Sequence, residues 1–207
     1  MDSLLYPTYF PNITHFAVMV QSDAFWFEVS DNYQKQCFRN RTEIYGANGK
    51  LALTVPVSYT QNNRQLYKDV KIANNNNWQQ LHLKSLQSAY SMSPFFEFYI
   101  DDLMPIFEKR FDFIMDLNLQ CFELLNESLQ LDLKPQFTEK FDQNPKGMRD
   151  FRSMVQRNYS MNDLNSYVQV FTEKHGFMSN LSILDLLFNQ GPSSSLYLNT
   201  LKINSNA

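Results

Sequence analysis

Glycine is scarce in this chain, with five in 207 residues, at positions 46, 49, 147, 176 and 191. No pair of them has the spacing of a GxGxxG dinucleotide turn or of a GxxxxGK(S/T) phosphate loop, so a glycine-cradled phosphate site is excluded. Cysteine is scarcer still. Cys37 and Cys121 stand alone, too few for a disulfide framework or a cysteine zinc centre. The three histidines, His15, His82 and His175, lie far apart, and without an HxxxH or HExxH pair no metal site is expected. There is no Gly-x-Ser-x-Gly elbow to support a nucleophilic hydrolase. Charged residues make up only 19%, and the formal charge of −3 gives no global reason to bind nucleic acid or an anionic bilayer. No apolar run approaches the ~18 residues of a membrane span. The opening Met1-Asp2-Ser3-Leu4-Leu5-Tyr6-Pro7 carries an acid where a secretory leader is basic, and Pro7 cuts its apolar run, so a cytoplasmic protein is expected.

What is abundant is aromatic surface, 15% of the chain, with 18 Phe and 11 Tyr. That much apolar area offsets chain entropy and argues for a folded chain. The length predicts a single domain over 1–207, strand-rich over 4–72, helical over 78–132, a polar loop with one short helix over 139–162 and helical again over 163–200. Leu4-Leu5-Tyr6 reads as a strand. Pro11-Asn12 then opens a helix whose apolar face is Ile13, Phe16, Ala17 and Val20. Ala24–Val29 is the most strand-like run, and a strand–helix–strand unit this compact implies a parallel, right-handed crossover. Thr42–Tyr45 and Leu51–Val55 flank Gly46-Ala47-Asn48-Gly49, a hairpin signal. Leu66–Ile72 alternates as a further strand. Beyond it the period becomes helical: Trp78–Tyr90 capped by Asn77, a helix opened by Ser93-Pro94, and one long helix from Pro105 to Leu131. A helix from Leu164 to Lys174 stops at Gly176, and one opened by Asn180-Leu181-Ser182 ends before Gly191-Pro192. The fold class expected is α/β, a compact mixed sheet from the N-terminal third (βαβ unit plus hairpin) packed with a helical C-terminal two-thirds.

Few residues are suited to chemistry. Arg39-Asn40-Arg41 offers forked donors for a phosphate, carboxylate or sugar hydroxyl, with 39 and 41 on one face if the segment is a strand. The same arginines also suit a solvated edge, or ion pairs with Asp31 or Glu43. His82 follows Trp78 by one helical turn, so the two can line one cleft, His82 as general base or donor. The plainer role is a part-buried histidine satisfied by a backbone carbonyl. Phe95, Phe96, Phe98 and Tyr99 read as core more readily than as a sugar platform.

Taken together, Tyr6-Pro7-Thr8-Tyr9-Phe10-Pro11, Phe38-Arg39-Asn40-Arg41, Leu53-Thr54-Val55-Pro56-Val57 and Trp78-x-x-x-His82-x-Lys84-Ser85-Leu86 form a familiar series. Tyr90 near Pro94-Phe95-Phe96 and the closing Asn180-Leu181-Ser182-Ile183-Leu184-Asp185-Leu186-Leu187-Phe188-Asn189-x-Gly191-Pro192 complete it. In order and spacing the chain resembles the WbqC-like protein family of bacteria, over residues 4–192. Members often sit in gene clusters for surface polysaccharide such as O-antigen. The resemblance implies a transferase passing an acyl or aminoacyl-type group to a nucleotide-linked amino sugar, with no cofactor. On the matched positions Arg39 and Arg41 would hold phosphates, and His82 would act as base with Lys84 in electrostatic support. Tyr6, Asn12, Asn40, Trp78 and Asp185 would line the substrate cleft at the carboxyl ends of the early strands, unless Asp185 simply pairs with a basic neighbour. The expected partner is a small-molecule ligand such as a nucleotide-sugar, and neither nucleic acid nor a membrane. The alternative is a non-enzymatic ligand-binding or scaffold protein that keeps the family pocket. Two departures bear on that choice. Leu5-Tyr6-Pro7 stands where many relatives have His-Gln-Pro, and the stretch 139–162 lacks a strand and a glycine-rich Ser-Gly-x-x-Gly segment.

Overall fold

The computed structural model describes residues 1–58, 60, 64–159 and 164–203. The chain is α/β. Strand β1 (Ser3–Leu5) leads through Pro7 to helix α1 (Ile13–Val20), which is capped by Asn12, whose side chain accepts from His15 N at 2.9 Å. Strand β2 (Phe25–Phe27) follows and pairs with β1 in parallel, Leu4 opposite Trp26 and Leu5 opposite Phe27. This is the crossover unit that the first 29 residues predict.

Strands β3 (Arg41–Gly46) and β4 (Gly49–Thr54) form the predicted antiparallel hairpin, with Gly49 at φ +103°, where a side chain would be strained. The hairpin forms a sheet of its own. A second short pair joins β5 (Val57–Ser58) to β6 (Lys71–Ile72). The single strand expected over Leu66–Ile72 is thus shorter, because Tyr67–Asp69 winds into a 3-10 turn ahead of β6.

The helical region holds α2 (Trp78–Tyr90), α3 (Phe96–Tyr99), α4 (Met104–Glu108) and α5 (Ile114–Ser128). Asn77 precedes α2 without a side-chain cap bond. The long helix read from Pro105 to Leu131 is broken into α4 and α5. At the break the backbone pairs with β6: Ile72 N donates to Asp112 O at 2.9 Å and Ile114 N to Val70 O at 3.0 Å. Those bonds replace helical ones, and the periodicity of the side chains does not register the exchange.

Two strands that complete the main sheet come from the polar part of the chain. Strand β7 (Gln136–Phe137) pairs with β2, and β8 (Arg149–Asp150) pairs with β1, both in parallel. The stretch 139–162 is therefore not a plain loop; it carries β8 and a 3-10 turn over Arg152–Val155, with residues 160–163 outside the described set. The C-terminal part holds α6 (Thr172–His175), α7 (Ile183–Gln190, capped by Ser182) and α8 (Ser194–Thr200). Only α6 is helical in the span read as a helix from Leu164.

Sheet order is β7–β2–β1–β8. The chain steps outward from β1 through β2 to β7 and then returns past β1 to β8, so the direction of winding reverses between β1 and β8. In open parallel sheets, ligands lie outside the carboxyl ends of the strands at such a reversal. One face of the sheet packs on α5, with Phe25 and Phe27 ring centroids 5.7 and 5.3 Å from Phe122. The opposite face presents Leu4 and Trp26 and is covered by the segment 138–148.

Candidate functional site

Each of the four parallel strands delivers a polar side chain just past its carboxyl end: Tyr6 after β1, Glu28 after β2, Thr138 after β7 and Arg152 after β8. Asp31 and Arg39 join them from the next loop. Tyr6 Oη donates to Asp31 Oδ2, and the Arg39 guanidinium lies 3.7 Å from the centre of the Tyr6 ring. Arg39 is 0% exposed, gives Nη1–H to Asn32 O at 2.9 Å and has Nη2 3.9 Å from Asp31, while Nε and Nη2 have no hydrogen-bond acceptor. Burial drives the Tyr6 hydroxyl upward; Arg39 pulls it down and the Asp31 bond raises it again. His15, buried in α1, binds the Tyr6 carbonyl through Nε2 at 2.8 Å, and burial lowers it to about 4, so it is neutral near pH 7.

Glu28 is 1% exposed. Its Oε1 accepts from Ser30 N at 2.7 Å and Thr138 Oγ at 2.9 Å. Its Oε2 lies 3.8 Å from Arg152 Nη1 with no hydrogen-bond donor. Arg152 is committed elsewhere. Its Nε and Nη2 grip Asp150 at 2.9 and 2.7 Å, and Nη1 and Nη2 reach the carbonyls of Asp142 and Gln143 at 2.8 and 3.2 Å. Arg152 thereby ties the segment 138–148 to β8. Under that segment is a cleft of about 390 Å³ whose floor is Leu4, Trp26 and Glu28, with Phe137 and Met148 in its walls. Lys140 and Lys146 stand at its rim together with Glu139 and Asp142.

Of the residues expected to share one site, Tyr6 and Arg39 do meet. Trp78 and His82 meet each other in a separate cleft, and the others are placed apart. Arg39 sits in a 3-10 turn (Phe38–Asn40) and Arg41 begins β3, so they do not share a strand face. The solvated edge is excluded for Arg39, whose partner is Asp31; Glu43 pairs with Lys50 instead. Asn12 is a helix cap, and Asn40 donates Nδ2–H to Val55 O at 2.9 Å. His82 packs edge-on against Trp78, as helical spacing predicts, with Nδ1 2.9 Å from Tyr9 Oη and a backbone hydrogen bond to Thr54. Burial lowers His82 to about 4. These two line a cleft with Asn75, Asn76 and Asn77, whereas Lys84, two residues on, points into another between α2 and the β3–β4 hairpin.

Asp185 is buried without a basic neighbour. It accepts from Tyr90 Oη at 2.9 Å, Tyr167 Oη at 2.6 Å and Gln169 Nε2 at 2.8 Å. Burial raises it above the usual carboxylate range, against the pull of those three donors. Among the expected core aromatics, Phe96 is buried and Phe98 is 74% exposed.

The residues of this region missed in the sequence are Trp26, Glu28, Thr138 and Arg152, whereas Asp31 is the ion-pair partner that the sequence offers for Arg39. One signal was available for Glu28, an acid closing the most apolar strand in the chain. Nothing local marks Thr138 or Arg152, which reach the site only because β7 and β8 join the sheet.

Among the described residues no helix is long and apolar enough to cross a membrane, and no three His, Cys, Asp or Glu side chains are placed to hold a metal ion. No curated protein and no solved structure matches the chain. The motif over 180–192 lies outside the family match, which spans residues 6–156 and takes in β2 to β8 but not β1. With that match covering most of its length, the chain belongs to the WbqC-like protein family.

Proposed function

We propose that this protein is a transferase of bacterial surface-glycan biosynthesis. In this reading it binds a nucleotide-linked amino sugar in the cleft beneath residues 138–148 and passes an acyl or aminoacyl-type group to the sugar amine. The resemblance to the family supplies the class of reaction. The observation that carries the location is the cleft itself, which lies on one face of the parallel sheet and takes in Glu28 and Thr138, just past the carboxyl ends of β2 and β7. The Trp26 indole offers a flat apolar wall for a sugar ring or base. Lys140 and Lys146, both exposed at the rim, are suited to a diphosphate as mobile point charges. Arg39 does not line the cleft and supports Tyr6 and Asp31 from behind in this reading, and His82 and Lys84 stand outside it.

A thermal-shift series with nucleotides, nucleotide-linked sugars and nucleotide-linked amino sugars tests this. Ligand at about 100 times its Kd stabilises by about 2.7 kcal/mol, a shift of about 5–10 °C at this chain length. The expected result is such a shift with a nucleotide-linked amino sugar, and its loss in a Lys140→Ala/Lys146→Ala double variant. No shift with any nucleotide-linked sugar, or a shift indifferent to both lysines, would overturn the reading. The replacement of His-Gln-Pro by Leu5-Tyr6-Pro7 favours a second reading, a binding protein that keeps the pocket without turnover. Ligand binding with no product from acyl thioester or aminoacyl donors would select it.

A further inference from the structure

Two residues that line this cleft, Trp26 and Glu28, each carry a buried polar atom without a hydrogen bond, one a donor and one an acceptor. Among the described residues, Trp26 Nε1–H has no hydrogen-bond acceptor and Glu28 Oε2 no hydrogen-bond donor. The residues are two apart along β2, whose ladder continues through Glu28 N donating to Leu5 O at 2.8 Å, so they share one face of the sheet. Their Cα atoms are then about 6–7 Å apart. Glu28 is held rigidly by its other oxygen, which Ser30 N and Thr138 Oγ both occupy. Arg152, the nearest cation, gives four of its five N–H groups to Asp150, Asp142 and Gln143 and leaves one on Nη1, 3.8 Å from Glu28 Oε2 and beyond hydrogen-bond length. An unsatisfied buried polar group costs about 1–3 kcal/mol, and two such groups on residues that line one cavity point to a ligand that completes both.

We infer that Glu28 and Trp26 are the specificity pair for the substrate amine, Glu28 Oε2 accepting from an ammonium and Trp26 Nε1–H donating to a neighbouring oxygen of the same sugar. This rests on the nucleotide-linked amino sugar reading above and names what that site selects. An ionised carboxylate only accepts, and a charged donor makes the shorter and stronger bond. Glu28 therefore favours an amine over the hydroxyl of the matching neutral sugar. Trp26 Nε1 serves both ligands equally.

Isothermal titration with a nucleotide-linked amino sugar and with the same compound carrying hydroxyl in place of amine decides it. Wild type should prefer the amine by tenfold or more (~1.4 kcal/mol). Glu28→Gln, which keeps shape and removes charge, should bring the two affinities within about threefold while the hydroxyl compound binds as before. Trp26→Phe should weaken both ligands by about fivefold and leave the preference intact. In wild type the preference should also vanish well above the pKa of the amine, a readout that needs no variant. An amine preference absent in wild type, or one that survives Glu28→Gln or high pH, would overturn the inference while leaving the nucleotide-sugar reading in place. If neither compound binds, that reading fails, and the pair is then decided by nuclear magnetic resonance titration with glucosamine against glucose. Shifts of the Trp26 indole N–H that depend on the amine support the pair, and equal or absent shifts overturn it.

Discussion

Arg39 carries a charge to a place with no solvent exposure and stacks it on Tyr6, with Asp31 as its counter-charge. A buried pair of this kind adds little over apolar packing, but breaking it leaves an uncompensated ion, at about 3–5 kcal/mol. Arg39→Ala should therefore lower the urea-unfolding free energy by about that much, whether or not ligand is present. A loss under about 1 kcal/mol would mean that water already reaches Asp31 and that the pair is screened as on a surface. The same comparison explains what could be read in advance at this scale. Tyr6 and Arg39 belong to recognisable motifs, and they do meet. Asp31 is the ion-pair partner the sequence offers, but the burial of Glu28 is not announced along the chain, because burial is a property of the packed molecule and not of the residue. Asn12 and His82 show the reverse. Their types suit a ligand, yet a helix N–H, a tyrosine hydroxyl and a backbone hydrogen bond already occupy them.

At the scale of elements, caps and turns were the legible part. Asn12 and Ser182 each bond a free N–H of the first helical turn, and Gly49 supplies the left-handed residue of the hairpin. Gly191, which closes α7 at φ +50°, is under a harder constraint. A Cβ there would lie 2.5 Å from the Phe95 ring, whose backbone N–H also bonds Phe188 O at 3.0 Å. Gly191→Ala should cost about 2–4 kcal/mol through left-handed strain and the forced shift of Phe95, seen as a fall in Tm of about 5–15 °C. An unchanged Tm would show that the α7 end and α3 are free to separate. Where elements were misread, tertiary hydrogen bonds outbid local preference. The apolar stripe from Ile106 to Leu129 is continuous, and only pairing with β6 through Asp112 and Ile114 divides it into α4 and α5. Two-residue strands such as β7 and β8 have no periodicity to read at all.

For the molecule as a whole, the two buried histidines set the response to acid. His15 and His82 are each lowered by burial to about 4, below the usual 6.5. As pH falls below 6.5 the unfolded chain takes up protons that the folded chain refuses, so stability is full above that pH and is lost toward pH 4. By pH 4.5 the loss should be roughly 2–3 kcal/mol per histidine. Asp185, raised by burial, works the other way, but as a single group it offsets only part of it. Urea midpoints at pH 7.5 and 4.5 check the sum, and a chain equally stable at both would contradict the burial of the two rings. Taken alone, the sequence determined the α/β class, the first parallel crossover, the hairpin and the caps of α1 and α7, though not the one expected at Asn77, because each depends on side chains within a few residues of one another. The tertiary structure alone decided the rest. It brought β7 and β8 from beyond residue 130 to the edges of a sheet begun at residue 3, and so placed Thr138 and Arg152 around Glu28. Parallel pairing joins segments distant in the chain through backbone groups that every residue carries, which is why no pattern of side chains announces it.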